Sequence, residues 1–304
     1  MGELIIICGA TATGKSELAV EIAGEIGADI VSADSMQLYK GMDIGTAKLT
    51  IPERKGIVHH LLDLVDVNMD VSVSWYQEIA RAKIDELLAA KGNVVVVGGT
   101  GLYIKAILDD LNFPETDPQV RERLTLEAGE KGGDAMHQRL AELDPAASLA
   151  IPKENIRRVV RALEVIEITG KPFTASLPRE GSSKYPKAMQ FGLAMNRETL
   201  DSRIDARVEH MWESGLPEEV EQLINSGLLE GKTAQAAIGY AQIIRSKHGL
   251  ISNSEAIADT ARATRQYARR QETWFSKDLR INWLSAKSDL LARKQTLLQA
   301  ILDS

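Results

Sequence analysis

The chain has 304 residues, 44% of them hydrophobic and 26% charged, which is typical of a globular protein with one large or two smaller domains. Its net charge of −7 argues against nucleic-acid binding by the whole surface, so such binding needs a local basic region. Cys8 is the one cysteine, which excludes an internal disulfide and favours a reducing compartment. No apolar run approaches the ~20 residues of a membrane span, and residues 4–8 are too short for a signal-peptide core. We expect a cytoplasmic protein with no membrane partner.

Strands and helices alternate in the first part of the chain. Helical spacing of apolar residues is found over 16–26 and 76–88, between short apolar runs. This alternation predicts an α/β fold with a parallel sheet flanked by helices. The runs that predict buried strands are residues 4–8, 29–32, 94–97, 190–195 and 281–284.

The pattern changes after the third strand. Residues 121–177 contain helix-like segments and no strand, which predicts an all-helical inserted domain. The turn-rich segments FPETDP (113–118) and LPREGSSKYP (177–186) mark its two ends. We expect a discontinuous core of residues 1–114 and 186–304 and a helical insertion of residues 115–185. Helices in the second part of the core are predicted over 200–214, 218–224, 255–275 and 290–302.

The segment GATATGKS follows the first strand and opens the first helix. It fits the phosphate-loop pattern G-x-x-x-x-G-K-[ST], in which backbone N–H groups and the helix N-terminus bind an anion. Lys15 adds a positive charge, and Ser16 is a ligand for Mg²⁺. The strand VVVVGGTGLY (94–103) is not followed by the carboxylate that ATP-hydrolysing proteins place there, which weakens that interpretation. The predicted loop residues are Gly9, Ala10, Thr11, Ala12, Thr13, Gly14, Lys15 and Ser16.

Two polar groups follow neighbouring strands of the predicted sheet. DIVSADSMQLYKGMDIGTAK (29–48) places Asp34 at the carboxyl end of a strand, where doubly wound sheets bind ligands. Asp34 is either a catalytic acid or base, or an aspartate that caps a helix or closes a turn. GGTGLY offers backbone amides and the Thr100 hydroxyl at the end of the next strand.

Arg203 and Arg207 are four residues apart in a predicted helix, so they share one face. Such a pair either clamps a phosphate or pairs with Asp201 and Asp205. The sequence alone leaves both possibilities open.

Two basic segments interrupt the acidic chain. Residues 262–280 hold six basic residues and two acidic ones, and residues 153–171 hold five and three. In the first, Tyr267 and Trp274 are predicted to lie in the core, opposite a stripe of arginines (Arg262, Arg265, Arg269) that is suited to RNA phosphates. The alternative is a pair of solvated helix faces. His59 and His60 lack the spacing of a metal site.

Six segments occur together in one order, and as a set they resemble the tRNA dimethylallyltransferases, also called tRNA isopentenyltransferases. The similarity covers nearly the whole chain and implies a P-loop NTPase-like core. It consists of GATATGKS, SADSMQLYKGMDIGTAK, VVGGTGLY, IRRVVRALEVIEITGKP, RIDARVEHM and ATRQYARRQETWF.

The resemblance implies transfer of a dimethylallyl group from dimethylallyl diphosphate to N6 of the adenine 3′ of a tRNA anticodon, with Mg²⁺ as cofactor. Asp34 is then the base, and Arg203 and Arg207 join Lys15 on the diphosphate. Thr100 is similar to a family contact in the site. The positions that match tRNA contacts are Asp34, Ser35, Met36, Gln37, Thr100, Arg121, Arg157, Arg158, Val159, Val160, Arg161, Gln266 and Arg270.

One departure from the family pattern is Ala241, where many members resemble G-Y-[KR]. It puts affinity for RNA in doubt rather than activity. The alternatives are an adenylate isopentenyltransferase, a P-loop small-molecule kinase and a noncatalytic RNA-binding module. We expect a monomer whose partners are the tRNA anticodon stem-loop and dimethylallyl diphosphate.

Overall fold

The chain divides into two compact units in a computed structural model that describes residues 3–111, 113–176, 183–285 and 288–303. The first unit holds residues 1–108 and 185–304, and the second holds residues 109–184. Residues 177–182, the first part of the loop predicted to close the insertion, lie outside the described residues.

The first unit is built on one parallel sheet. The five predicted strands are confirmed, and the predicted α/β fold class with them. The additional strand is a two-residue edge strand, too short for its hydrophobic pattern to signal it. In the described residues the strands are β1 (Leu4–Gly9), β2 (Asp29–Ser32), β3 (His59–His60), β4 (Val94–Gly98), β5 (Met189–Leu193) and β6 (Ile281–Leu284). Their order across the sheet is β3-β2-β4-β1-β5-β6.

Helices cover both faces of this sheet. Those of the first unit are α1 (Lys15–Ile26), α2 (Val73–Lys91), α3 (Gly101–Leu108), α8 (Arg197–Glu213), α9 (Leu216–Asn225), α10 (Tyr240–Lys247), α11 (Asn253–Phe275) and α12 (Leu290–Leu302). The sequence predicted all of these except α3 and α10. Both are eight residues long, shorter than the windows in which helical periodicity is clear.

The residues of β1 show how the two layers form. Leu4, Ile6 and Cys8 pack with α2 and α3 on one face, and Ile5 and Ile7 pack with α1 and α12 on the other. All five are buried, as expected for a central parallel strand. Burial raises the pKa of the Cys8 thiol to about 12, so this cysteine is an inert part of the core.

The long helix α11 buries a different face from the one predicted. Ala268, Gln271 and Phe275 are buried, whereas Trp274 is 45% exposed and Tyr267 is partly exposed. The prediction that both aromatic residues lie in the core is therefore wrong. Periodicity fixes the spacing of a helix face, but the neighbouring elements decide which of two adjacent faces is covered.

The second unit is a bundle of helices with its own core. Its helices are α4 (Pro118–Lys131), α5 (Gly133–Leu143), α6 (Pro145–Ala150) and α7 (Ile156–Thr169). Leu124, Met136, Leu140, Val159 and Leu163 are among its buried residues. Among the helices of the described residues in either unit, none combines the length and apolar character that crossing a bilayer requires.

The ends of β2 and β4 approach so closely that a side chain at Gly98 would overlap the carbonyl oxygen of Ala33. We predict that Gly98→Ala destabilises the protein by about 1–3 kcal/mol or more, because the backbone must shift to admit the methyl group. Unfolding in guanidinium chloride measures this change in the free energy of unfolding.

Gly24→Ala is the matched control. Gly24 is exposed in α1, and its added methyl group would lie 3.9 Å from Ile57 Cδ1, an ordinary contact. It should stabilise the protein by about 0.5–1 kcal/mol, the usual gain for Ala over Gly in a helix. Equal effects of the two substitutions would contradict the assigned packing of Gly98.

Candidate active site

The phosphate loop joins β1 to α1 and is closed by its own hydrogen bonds. The Ala10 carbonyl oxygen accepts from Thr13 Oγ1 at 2.8 Å and from Lys15 Nζ at 2.6 Å. Ala12 and Gly14 have φ angles of 64° and 92°, which produce the tight bends of the loop. The loop therefore presents the N-terminus of α1 in the arrangement that binds phosphate groups.

The cationic side chains at or near this loop include Lys15, Arg207 and Arg203. Arg207 Nη1 donates to Thr11 Oγ1 at 3.4 Å, and Arg203 lies one turn earlier on α8. Burial and then Arg207 lower the pKa of Lys15 to about 8, while burial and Arg203 lower the pKa of Arg207. The positive charges destabilise one another, so a bound anion would relieve their repulsion.

The alternative pairing of these arginines is not present. Asp205 pairs with Arg265, and Oδ1 of Asp201 is buried without a hydrogen-bond partner within the described part of the chain. Arg203 contacts Met195 Sδ at 3.9 Å instead. Arg207 therefore contacts the phosphate loop rather than Asp201 or Asp205, and Arg203 lies one turn before it on α8.

Asp34 follows β2 and lies next to the lysine of the loop. One of its carboxylate oxygens accepts from the Met36 N–H at 2.9 Å, so the turn role that the sequence left open is present. Burial raises the pKa of Asp34, opposed by this hydrogen bond and by the charge of Lys15. A carboxyl group with a raised pKa is a better match for general-base chemistry near neutral pH than an exposed aspartate.

Thr100 joins the end of β4 to the Asp34 segment. Its hydroxyl accepts from the Ser35 N–H at 3.1 Å and lies 3.4 Å from Ser35 Oγ. The hydroxyl of Tyr267 on α11 also reaches Thr100, and burial together with Asp34 raises the pKa of this tyrosine to about 12. Three segments distant in sequence therefore meet around Asp34.

Gln37 is held at both ends of its amide. Oε1 accepts from Ser32 Oγ at 3.1 Å, and Nε2 donates to the Thr46 carbonyl at 3.2 Å. Met36 packs at the edge of the apolar cluster that includes Tyr39. These contacts hold Met36 and Gln37 in place beside Asp34.

Two residues that support these loops were not predicted from the sequence. Glu219 on α9 accepts from the Asp43 and Ile44 N–H groups at 3.1 and 2.7 Å and from the Tyr240 hydroxyl at 2.5 Å. Gln271 on α11 bonds two loops of the site at once, as described below. Neither has a local signal, because a polar residue in a helix is usually exposed.

The predicted RNA-contacting residues of the second unit divide into two sets. Arg157 and Arg158 are exposed on α7. Val159 and Val160 are 0% and 5% exposed in the core of the unit, and contact of these two positions with RNA stays a prediction. Their apolar character places them on the packed face of an amphipathic helix.

Arg121 and Arg161 are tied to a buried carboxylate in the same unit. Glu164 is 0% exposed and pairs with Arg121 at 2.7 Å and with Arg161 at 3.0 Å. A buried charge needs such partners, so these arginines have a structural role whatever else they bind.

On the late helix, Gln266 and Arg270 are exposed, and the Arg270 guanidinium lies 5.6 Å from the centre of the Tyr267 ring. Arg262 pairs with Asp259 at 2.8 Å, so part of the arginine stripe is a solvated face with local partners. Arg269 is exposed and completes the basic side of α11.

The two histidines have a structural role. His60 Nε2 lies 2.8 Å from Asp29 Oδ2, and both histidines belong to the edge strand β3. Among the described residues, no three His, Cys, Asp or Glu side chains come together as a metal site would require.

The fold and the loop define the class of the protein as a P-loop α/β protein with a helical insertion. The sequence matches the family model described as IPP transferase over residues 37–278, which is more than half of the chain. The chain belongs to this family.

Relatives named tRNA dimethylallyltransferase come from Streptomyces griseus and Thermobifida fusca. The first is 50% identical over 300 residues, covering 97% of this chain and 96% of the relative, and the second is 54% identical, covering 93% and 90%. The solved tRNA isopentenylpyrophosphate transferase of Bacillus halodurans is 35% identical with a TM-score of 0.73, covering 100% of this chain and 96% of that one. A eukaryotic dimethylallyltransferase solved acting on tRNA is 25% identical with a TM-score of 0.80, covering 99% and 78%.

The lowered pKa of Lys15 predicts how anion binding depends on pH. Only protonated Lys15 attracts an anion, and its pKa is about 8, so affinity for inorganic diphosphate should fall as the pH rises through this value. Between about pH 7 and about pH 9 the affinity for diphosphate should fall about tenfold. Calorimetric titration at both pH values measures it.

Lys15→Arg is the control, because arginine stays charged over this range. Titration of the diphosphate itself affects both proteins equally, so the tenfold loss should appear as the difference between them. The same pH dependence in both proteins would show that Lys15 does not titrate near pH 8.

Proposed function

We propose that the protein transfers the dimethylallyl group of dimethylallyl diphosphate to N6 of the adenine 3′-adjacent to the anticodon of tRNA, with release of diphosphate. The observation that carries the proposal is the meeting of a partly buried carboxyl group, Asp34, with the cationic phosphate loop at one edge of the sheet. The family to which the chain belongs and the names of its relatives support the same reaction.

The reaction needs a base and an anion site side by side. A bond forms between adenine N6 and the allylic carbon, and the bond from that carbon to the diphosphate oxygen breaks. The N6 proton goes to Asp34, whose raised pKa suits it to accept a proton. We assign to Thr100, whose hydroxyl accepts from the Ser35 N–H, the role of orienting the adenine beside Asp34.

Negative charge grows on the diphosphate as the carbon–oxygen bond breaks. Lys15, the loop amides and the arginines Arg203 and Arg207 surround that charge, and loss of one such donor typically costs ~3 to 4 kcal/mol of transition-state stabilisation. The donor phosphate therefore occupies the loop that nucleotides occupy in other P-loop proteins.

Ser16 fits the Mg²⁺ that the resemblance implies. Its hydroxyl lies at the start of α1 and makes no hydrogen bond within the described part of the chain. Mg²⁺ keeps most of its ligands as water and phosphate oxygens and needs few protein oxygens, so one serine suits it. When bound, it would neutralise charge on the diphosphate.

The acceptor adenine must leave the base stack of the anticodon loop to reach Asp34, as in other enzymes that modify bases. We assign Ser35, Met36 and Gln37 to its pocket. Exposed Arg157 and Arg158 on α7, and Gln266 and Arg270 on α11, supply RNA contacts. A monomeric state and a cytoplasmic location stay predictions from the sequence.

The test is incubation with labelled dimethylallyl diphosphate and either unmodified tRNA or AMP. Label in tRNA with release of diphosphate is the expected result. Label in AMP instead would assign an adenylate isopentenyltransferase, and ADP formed from ATP would assign a small-molecule kinase.

Asp34→Asn tests the base. The Asn side chain keeps the oxygen that accepts from the Met36 N–H but cannot take a proton from N6. We predict turnover about 10² to 10⁴ lower, with tRNA affinity and thermal unfolding unchanged. Turnover within about threefold of the parent protein would exclude the base role. A noncatalytic RNA-binding module predicts instead that the parent protein itself transfers nothing.

Arg157→Ala tests the RNA surface. One phosphate contact contributes about one unit to the slope of log affinity against log salt, so this slope should become shallower by about one. Lys55→Ala is the control, because Lys55 is exposed and pairs with Glu21 outside the proposed RNA contacts. An unchanged slope in both variants would mean that Arg157 makes no phosphate contact.

A further inference from the structure

Gln271 connects two loops of the site through one side-chain amide. Its Oε1 accepts from the Thr11 N–H at 2.8 Å, and its Nε2 donates to the Gly99 carbonyl at 2.8 Å. The residue is 5% exposed, so water does not compete for these bonds. The amide therefore spans the phosphate loop and the loop that follows β4.

The two bonded peptides belong to opposite sides of the site. The Thr11 hydroxyl contacts Arg207, so Thr11 lies on the diphosphate side. Gly99 precedes Thr100, which bonds Ser35 beside Asp34 and so lies on the acceptor side. One residue thus fixes how far apart the two sides lie.

The absence of a side chain at position 99 makes this contact possible. A Cβ built on Gly99 would overlap Nε2 of Gln271. The carbonyl of Gly99 and the amide of Gln271 therefore approach as closely as they do only because position 99 is glycine.

We propose that Gln271 is a positioning residue that sets the phosphate loop and the Thr100 loop at the separation the transfer step needs; the proposal rests on the proposed function. A displacement of about 1 Å between reacting groups costs as much as 10² in rate, even when both substrates still bind. Gln271 touches neither reacting group and acts through the two loops.

Gln271→Met tests the proposal, because methionine has a similar length and no hydrogen bond to offer. We expect kcat to fall about 10- to 100-fold, with the KM for dimethylallyl diphosphate and for tRNA each within about threefold. Gln190→Met is the control, since Gln190 is also buried, at 3% exposure, but lies near the amino end of β5. It should keep full kcat even if it lowers the melting temperature.

Gly99→Ala disrupts the same contact from the other side. If both substitutions act through one hydrogen bond, their effects on kcat are not additive, and the double variant resembles the single ones. A kcat within threefold of the parent protein in Gln271→Met, accompanied by a lower melting temperature, would overturn the proposal and leave a purely structural role.

Hydrogen exchange separates failure of this proposal from failure of the proposed function. The Thr11 amide should be protected in the parent protein and exchange at least tenfold faster in Gln271→Met, with or without substrates. No transfer by the parent protein would reject the proposed function, and the exchange rates would still decide whether Gln271 holds the loop. Unchanged protection of Thr11 would overturn the proposal.

Discussion

The site depends on the parallel register of β1, β2 and β4, which brings their carboxyl ends to one edge of the sheet. β1 ends at the phosphate loop, β2 ends two residues before Asp34, and β4 ends two residues before Thr100. Neighbouring strands lie about 4.8 Å apart, so the groups that follow them meet without any long connecting structure. The Ala33 N–H donates to the Val97 carbonyl at 2.7 Å and continues the ladder beyond β2 as far as the site itself. A carboxylate and a phosphate site are therefore adjacent because of backbone pairing.

The charges of Lys15 and Asp34 link the phosphate loop to the segment that follows β2. Burial lowers the pKa of Lys15 and raises the pKa of Asp34, so each group moves towards its neutral form, while the charge of each one opposes the shift of the other. A diphosphate bound beside Lys15 would keep this lysine protonated and partly cancel its field at Asp34. In the proposed function, the same binding step would strengthen the leaving-group site and make Asp34 a better proton acceptor.

The sequence predicted the parts of this arrangement that depend on short-range patterns. The phosphate loop has a local signature, and the five longer strands are continuous apolar runs. The buried face of α11 was predicted wrongly, because it depends on which neighbour covers the helix. Glu219 and Gln271 were missed since the loop peptides that they bond lie 172 to 260 positions away in sequence. Only the folded chain brings those partners together.

The polar residues of α11 show why such contacts resist prediction. Loop peptides beyond the strand ends have N–H and carbonyl groups that no ladder satisfies, and leaving one buried without a partner costs about 1–3 kcal/mol. Thr11 offers a donor and Gly99 an acceptor, so the residue between them needs both an acceptor and a donor. A glutamine amide has both, whereas a carboxylate or an ammonium group has only one. The requirement for satisfied backbone groups and the requirement for a fixed site geometry therefore lead to the same side chain. For this reason loss of stability alone cannot separate the two roles, whereas a change in kcat at constant KM does.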